Sequence, residues 1–196
     1  MKHFYNRTPY RRTVIFDLDE TLVHCVNPTS RIDPSVTLDI VLPNGEPTKA
    51  GINIRPHAKE CLKYANNYFE VMVFTASHRC YADVVLDYLD PTGELIQHRL
   101  YRDECIAHNG VFIKDLRIFA NRNIPDLIIV DNAVYSFGYQ LDNGIPILSW
   151  KDDPKDRELL NLMGYLKSLA KAKNMLQLNR KTFKLRKFYS MYARAK

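Results

Sequence analysis

The chain has 196 residues, 46% hydrophobic and 26% charged, with 7 Gly and 10 Pro. These values fit one globular domain with a full core and exclude wholesale disorder, a collagen-like chain and low-complexity composition. The net charge is +6, but of the 28 Lys and Arg residues 9 lie in 171–196 and 4 in 1–13, both stretches without an acid, so residues 14–170 hold 22 acidic against 15 basic residues, a net −7.

In chain order, the apolar run 14–16 predicts a strand that ends at Asp17. Residues 35–55 predict a small antiparallel hairpin insertion: 36–42 partly alternate, Pro43-Asn44-Gly45 turns, and Ile52 and Ile54 return. Pro56 is expected at the first position of a helix whose apolar face is Ala58, Cys61, Leu62, Ala65 and Phe69. The run 71–74 predicts a strand that ends at Thr75, and 80–89 a helix facing inward with Tyr81, Val84, Val85 and Tyr88. Runs 111–113 and 127–130 predict strands that end at Lys114 and Asp131. A last helix is expected over 156–170, with Leu159, Leu160, Met163, Leu166 and Leu169. Short unbroken apolar runs are strands buried on both faces, so the expected fold is α/β, an open, mainly parallel sheet with flanking helices. Ligands of such sheets bind beyond the carboxyl ends of the strands, where Asp17, Thr75, Lys114 and Asp131 fall.

The charge pattern divides the chain into a basic arm (1–13), an acidic body (14–170) and a basic tail (171–196). An acidic body argues against nucleic-acid binding by the fold itself. The segment 180–187 reads either as a localisation or polyanion-binding run or as a solvated tail, dispensable for catalysis. Tyr189 and Tyr192 offer stacking on RNA, with a docking helix or a free end favoured over it. No apolar run approaches the ~20 residues of a membrane span, and the first residues lack a secretory pattern. Cys25, Cys61, Cys80 and Cys105 form no C-x-x-C or zinc spacing, so reduced thiols in the nucleus or cytoplasm are expected.

The segment Asp17-Leu18-Asp19-Glu20-Thr21 carries the chemistry. Two carboxylates just past a strand suit one Mg²⁺, which takes few carboxylates and keeps waters or phosphate oxygens. One carboxylate can become an aspartyl phosphate, while the other protonates the leaving alcohol and then activates water. Mg²⁺ and a Lys would screen the approach of two anions. Alone, the segment also reads as a surface acidic loop. Cys25 and Arg31, after His24, match the C-x5-R spacing of cysteine phosphatases. That loop contains Pro28 and no Gly, and Pro34 follows it, so it is poorly suited to cradling a phosphate with backbone N–H groups.

The order Asp17/Asp19/Thr21, Thr75, Lys114, Asp131 resembles the haloacid dehalogenase superfamily. More closely, DLDETLVH (17–24), RPH (55–57), FTAS (74–77), IKDL (113–116), VDN (130–132) and Ser149-Trp150 before an acidic helix start resemble the small phosphatases of the RNA polymerase II C-terminal-domain type, the NLI-interacting-factor-like family. The resemblance covers about residues 12–170. It implies Asp17 as nucleophile and metal ligand, and Asp19 as acid/base with its backbone carbonyl on Mg²⁺. It implies Asp131 as metal ligand with Asn132 beside it, Thr75 and Lys114 on the phosphoryl group, and Thr21 ordering the phosphate-binding loop. Arg102 resembles a position near the substrate phosphate, and reads equally as a surface ion pair with Asp103 or Glu104. His108 reads as structural and Trp150 as packing. The chain departs from the family pattern at Ala133-Val134, where Ser-Pro is common. It departs also at Asn27 and His78, where readers of the polymerase tail carry an aromatic and an apolar residue, although Tyr81 matches.

The expected function is a Mg²⁺-dependent phosphoserine or phosphothreonine phosphatase, with the polymerase C-terminal domain as the substrate the resemblance implies. The gaps from Asp17 to Thr75 and from Thr75 to Lys114 leave no room for a large lid, which favours a phosphorylated protein segment, unless a partner supplies the lid. Another phosphoprotein, such as a lipin-type substrate, and a non-catalytic phosphopeptide-binding module are the alternatives.

Overall fold

The computed structural model describes residues 12–26 and 33–194. It opens with β1 (Thr13–Phe16), all four residues buried, followed by β2 (Val23–Val26), β3 (Val36–Val41) and β4 (Pro47–Ile54). Then come α1 (Ala58–Asn66), β5 (Glu70–Phe74), α2 (Arg79–Leu89) and β6 (His98–Leu100). β7 (Ile106–His108), β8 (Val111–Ile113), β9 (Leu127–Asp131) and β10 (Gly144–Pro146) complete the strands. Three helices close the chain: α3 (Glu158–Lys171), α4 (Met175–Phe183) and α5 (Leu185–Arg194).

β10-β9-β1-β5-β6 form one parallel sheet. Its central strands are the unbroken apolar runs, because a parallel strand covered on both faces has no polar side to present. Successive side chains leave opposite faces. Val14, Phe16, Val71, Val73, Ile128 and Val130 join α1, α2 and α3 in one core, while Ile15, Met72, Phe74, Leu127 and Ile129 join Leu116, Phe119 and Phe137 in the other. The second core is roofed by short 3₁₀ turns, Leu116–Ile118 and Val134–Asn143, rather than by α-helices. β10 approaches that roof so closely that a Cβ on Gly144 would lie 2.0 Å from the Phe137 ring.

The hairpin expected over 35–55 is β3 and β4, and β2 adds a third antiparallel strand in the order β2-β4-β3. Other expectations need correction. The run 111–113 does not enter the main sheet: β8 pairs antiparallel with β7 in a separate hairpin. Three residues are too few for periodicity to distinguish a sheet strand from a hairpin arm. α2 buries Ala82, Val85, Leu86 and Leu89, so its inner face is rotated from the expected one and Tyr88 is exposed. In α3 the inward position is Leu162, with Leu160 only half-buried. α1 starts at Ala58, after His57 in a left-handed conformation (φ 67°), so Pro56 lies in the preceding turn.

The basic ends are tied to the body where they are described. Arg12 donates to the carbonyls of Leu169, Ala170 and Ala172 at the end of α3. The segment 180–187, read as a solvated or polyanion-binding run, belongs to α4 and α5. Arg180 and Arg186 pair with Asp142, and Asn179 is buried. The expectations for Asn27, Pro28 and Arg31, and for the side chains of Tyr189 and Tyr192, fall outside the described residues.

Candidate active site

Register brings the site together. Phe16 pairs with Val130 on one side and Val73 on the other, so Asp17 follows β1 beside Asp131, and Thr75 stands just beyond the end of β5. The Asp17 N–H donates to the Val130 carbonyl at 2.9 Å and the Thr75 N–H to the Leu100 carbonyl at 3.0 Å, which extends the ladder past the strand ends. Lys114 follows β8, and its N–H donates to the Ser136 carbonyl at 2.6 Å. The β7–β8 hairpin thus delivers its lysine to the end of the sheet without joining the sheet.

Lys114 Nζ donates to Asp17 Oδ1 at 2.5 Å and to Asp131 Oδ2 at 2.7 Å. All three side chains are buried or nearly so. Asp131 is held further by the Ser136 hydroxyl at 2.6 Å and the Ala133 N–H at 2.7 Å. Burial, together with the Asp131 and Asp19 carboxylates, pushes Asp17 up to about 7 against the pull of Lys114. Burial alone would lower Lys114, but its two carboxylates outweigh that and hold Nζ protonated above its usual range.

These residues line a cleft of about 390 Å³ with Asp19, Glu20, Thr75, Ser77, Arg102, Phe112, Asn132 and Tyr135. Every expected site residue therefore lies at this cleft except Thr21. Thr21 is fully buried beneath it and reaches Asp17 Oδ2 at 3.4 Å and Asn132 Oδ1 at 3.5 Å. Arg102 turns to the rim, where Nε donates to the Ala76 carbonyl at 2.6 Å, Nη1 lies 2.8 Å from His78 Nε2, and the guanidinium stacks 4.9 Å from the Phe112 ring. His108 is exposed on β7, and Trp150 is buried with its indole N–H on the Asp153 carbonyl. Partial burial and the Asp19 carboxylate push the Cys25 thiol up, the reverse of an activated nucleophile.

Other participants become visible only in three dimensions. Glu20 adopts φ 58°, a left-handed conformation uncommon outside glycine, and its carboxylate accepts from Ser149 Oγ and Asn132 Nδ2. Arg55, 1% exposed, grips Asp156 with Nε and Nη2 and donates from Nη1 to the carbonyls of Thr21 and Glu20. It locks the loop after β1 to the approach of α3. Ser77 and Tyr81 both hold Asp19. RPH and FTAS were the sequence signals for Arg55 and Ser77, though neither revealed the partner.

The donor set fits a hard dication. Among the described residues no cluster of three His, Cys, Asp or Glu side chains is arranged for a metal. Mg²⁺ needs only one or two carboxylates beside waters and phosphate oxygens, and Asp17 and Asp131 share a single ammonium. The sheet, its three-stranded insertion and the placement of the cleft define a haloacid dehalogenase-like fold.

Comparison with known proteins narrows the class. The family model of the NLI interacting factor-like phosphatases matches residues 12–176, and the chain belongs to that family. CTD small phosphatase-like protein 3 of Caenorhabditis elegans is 38% identical over 182 residues, 92% of this chain and 62% of that protein. The human CTD small phosphatase-like protein is 38% identical over 162 residues, 82% of this chain and 57% of that protein. CTD nuclear envelope phosphatase 1B of Danio rerio is 35% identical over 166 residues, 81% of this chain and 67% of that protein. The solved structure of Fcp1, an essential RNA polymerase II CTD phosphatase, superposes with a TM-score of 0.69 at 18% identity, over 82% of this chain and 62% of that chain. The chain thus spans 57% to 67% of the length of these curated relatives.

Proposed function

We propose that the chain is a phosphoprotein phosphatase acting on phosphoserine or phosphothreonine through a phospho-Asp17 intermediate, with residues 14–170 as its catalytic unit. The observation that carries this reading is the convergence of Asp17, Asp131, Lys114 and Thr75 on one cleft whose wall also presents Asp19.

In the first step an Asp17 oxygen attacks phosphorus and the bond from phosphorus to the substrate oxygen breaks. Asp19 gives its proton to that leaving oxygen. In the second step Asp19, now a carboxylate, takes a proton from water as the water oxygen attacks phosphorus. The bond to Asp17 breaks and inorganic phosphate leaves. Lys114 and the Thr75 hydroxyl supply positive charge and a hydrogen-bond donor to the transferring oxygens. Thr21 and Lys114 hold the Asp17 carboxylate in place. Asp17, Asp131, Asn132 and the Asp19 backbone carbonyl would hold Mg²⁺. When bound, it supplies the charge that keeps Asp17 ionised and screens it from the phosphate.

Relatives named for the polymerase C-terminal domain support that domain as the first substrate to test. Another phosphoprotein is favoured by one observation: His78, beside Arg102 at the rim, puts a polar surface where the family pattern has an apolar one. Among the described residues no helix is long and apolar enough to cross a membrane, and nucleus or cytoplasm is the proposed location.

Hydrolysis of p-nitrophenyl phosphate with and without Mg²⁺ tests the reading. Turnover is expected to need Mg²⁺ and to fall by more than about 10³-fold in Asp17→Asn. Absence of Mg²⁺-dependent turnover, with phosphopeptide binding that survives EDTA, would establish the binding-module alternative instead.

A further inference from the structure

The geometry points to Ser77 and Tyr81 as positioning residues that fix the acid/base carboxylate of Asp19 for departure of an aliphatic alcohol. This inference rests on the phosphatase reading above and deepens it. Each Asp19 oxygen has its own hydroxyl: Ser77 Oγ donates to Oδ2 at 2.6 Å and Tyr81 OH donates to Oδ1 at 2.7 Å. Both donors come from one place, the approach to α2 and its first turn, 58 and 62 residues along the chain from Asp19. A carboxylate on a loop beyond a strand rotates freely about χ1 and χ2 unless something holds it, and two bonds to opposite oxygens fix both angles.

The clamp is itself anchored in the phosphoryl-binding wall. The Ser77 N–H donates to Thr75 Oγ1 at 3.0 Å, and the Ser77 carbonyl accepts from the Arg102 N–H at 3.1 Å. Thr75, Ser77 and Asp19 therefore form one hydrogen-bonded chain, so the group that meets the phosphate and the group that protonates the leaving oxygen are held in a fixed relation. A hydroxyl is both donor and acceptor. Ser77 and Tyr81 can stay bonded to Asp19 in either protonation state, as an acid that becomes a base between steps requires.

The leaving group distinguishes this role from general support. Serine leaves as a strongly basic oxygen and needs the Asp19 proton, whereas nitrophenolate departs with little help. Ser77→Ala, Tyr81→Phe and the double variant are assayed on a phosphoserine peptide and on p-nitrophenyl phosphate from the same preparation. The ratio of the two kcat/KM values is independent of the fraction folded and reports only the steps up to departure of the leaving group, because the second step, in which Asp19 is the base, is common to both substrates. The expected result is a fall in that ratio of about tenfold or more, in the direction of Asp19→Asn, with partial recovery in Ser77→Thr. Equal losses of kcat/KM on both substrates would overturn the positioning role. If wild-type turnover is absent or survives Asp17→Asn, the phosphatase reading itself fails, and this inference with it.

Discussion

Asp17, the proposed nucleophile, lies in an environment that resists its charge. Burial and two neighbouring carboxylates push it up to about 7, above the 3.8 of an unfolded carboxyl. The sign of the consequence follows. The folded state holds the proton more tightly, so the contribution to stability is full below the unfolded value and is lost as pH rises through the folded one. A cation that pairs the ionised carboxylate removes that loss. The thermal midpoint with Mg²⁺ should therefore exceed that of the metal-free protein by more at about pH 8 than at about pH 5. Scanning fluorimetry at the two pH values measures this gap, and a constant gap would contradict the assigned strain on Asp17. The same balance explains why Lys114 is buried between two acids. Without it, Asp17 and Asp131 would face each other with no cation from the protein.

At the scale of elements, α4 is bound to the body by polar contacts at its centre. Asn179, 1% exposed, donates to the carbonyls of Asp142 at 2.9 Å and Gly144 at 2.7 Å and accepts from the Tyr165 hydroxyl at 3.0 Å. Those carbonyls lie where the 3₁₀ roof runs into the edge strand β10, while Met175, Leu176, Leu178 and Phe183 of the same helix pack into the first core. Asn179→Ala should cost about 1–3 kcal/mol in urea unfolding with an unchanged slope, because two buried acceptors lose their donor. Lys181→Ala, on the exposed face of the same helix, should stay within about 0.5 kcal/mol. Similar costs for the two would mean that α4 does not pack as described. The neighbouring pairs of Asp142 with Arg180 and Arg186 count for less, since both arginines are more than half exposed.

At the scale of the molecule, what could be read in advance follows from length and partners. β1, β5 and β9 were legible because each is an unbroken apolar run ending in a residue with chemistry, and their register alone sets Asp17 beside Asp131. The turn at Pro43-Asn44-Gly45 announced β3 and β4. β6, β7 and β10 have three residues each and no pattern of their own; they exist because a neighbour's edge is available. The segment 180–187 read as a localisation or polyanion-binding run or a solvated tail because the acid that pairs with Arg180 and Arg186, Asp142, lies about forty residues away in sequence. In the cleft, residue types identified the acids, the lysine and the threonine. The supports of Glu20, Asp19 and the Arg55 lock depended on pairings across the fold that no local pattern encodes. The proposed chemistry passes the phosphoryl group through Asp17. The most direct measurement is acid quenching of the enzyme with ³²P-labelled phosphopeptide, followed by mapping of the protein-bound label. A hydroxylamine-sensitive acyl phosphate is expected on the peptide containing Asp17, absent in Asp17→Asn. Turnover without a covalent label, or label on another residue such as Cys25, would contradict it.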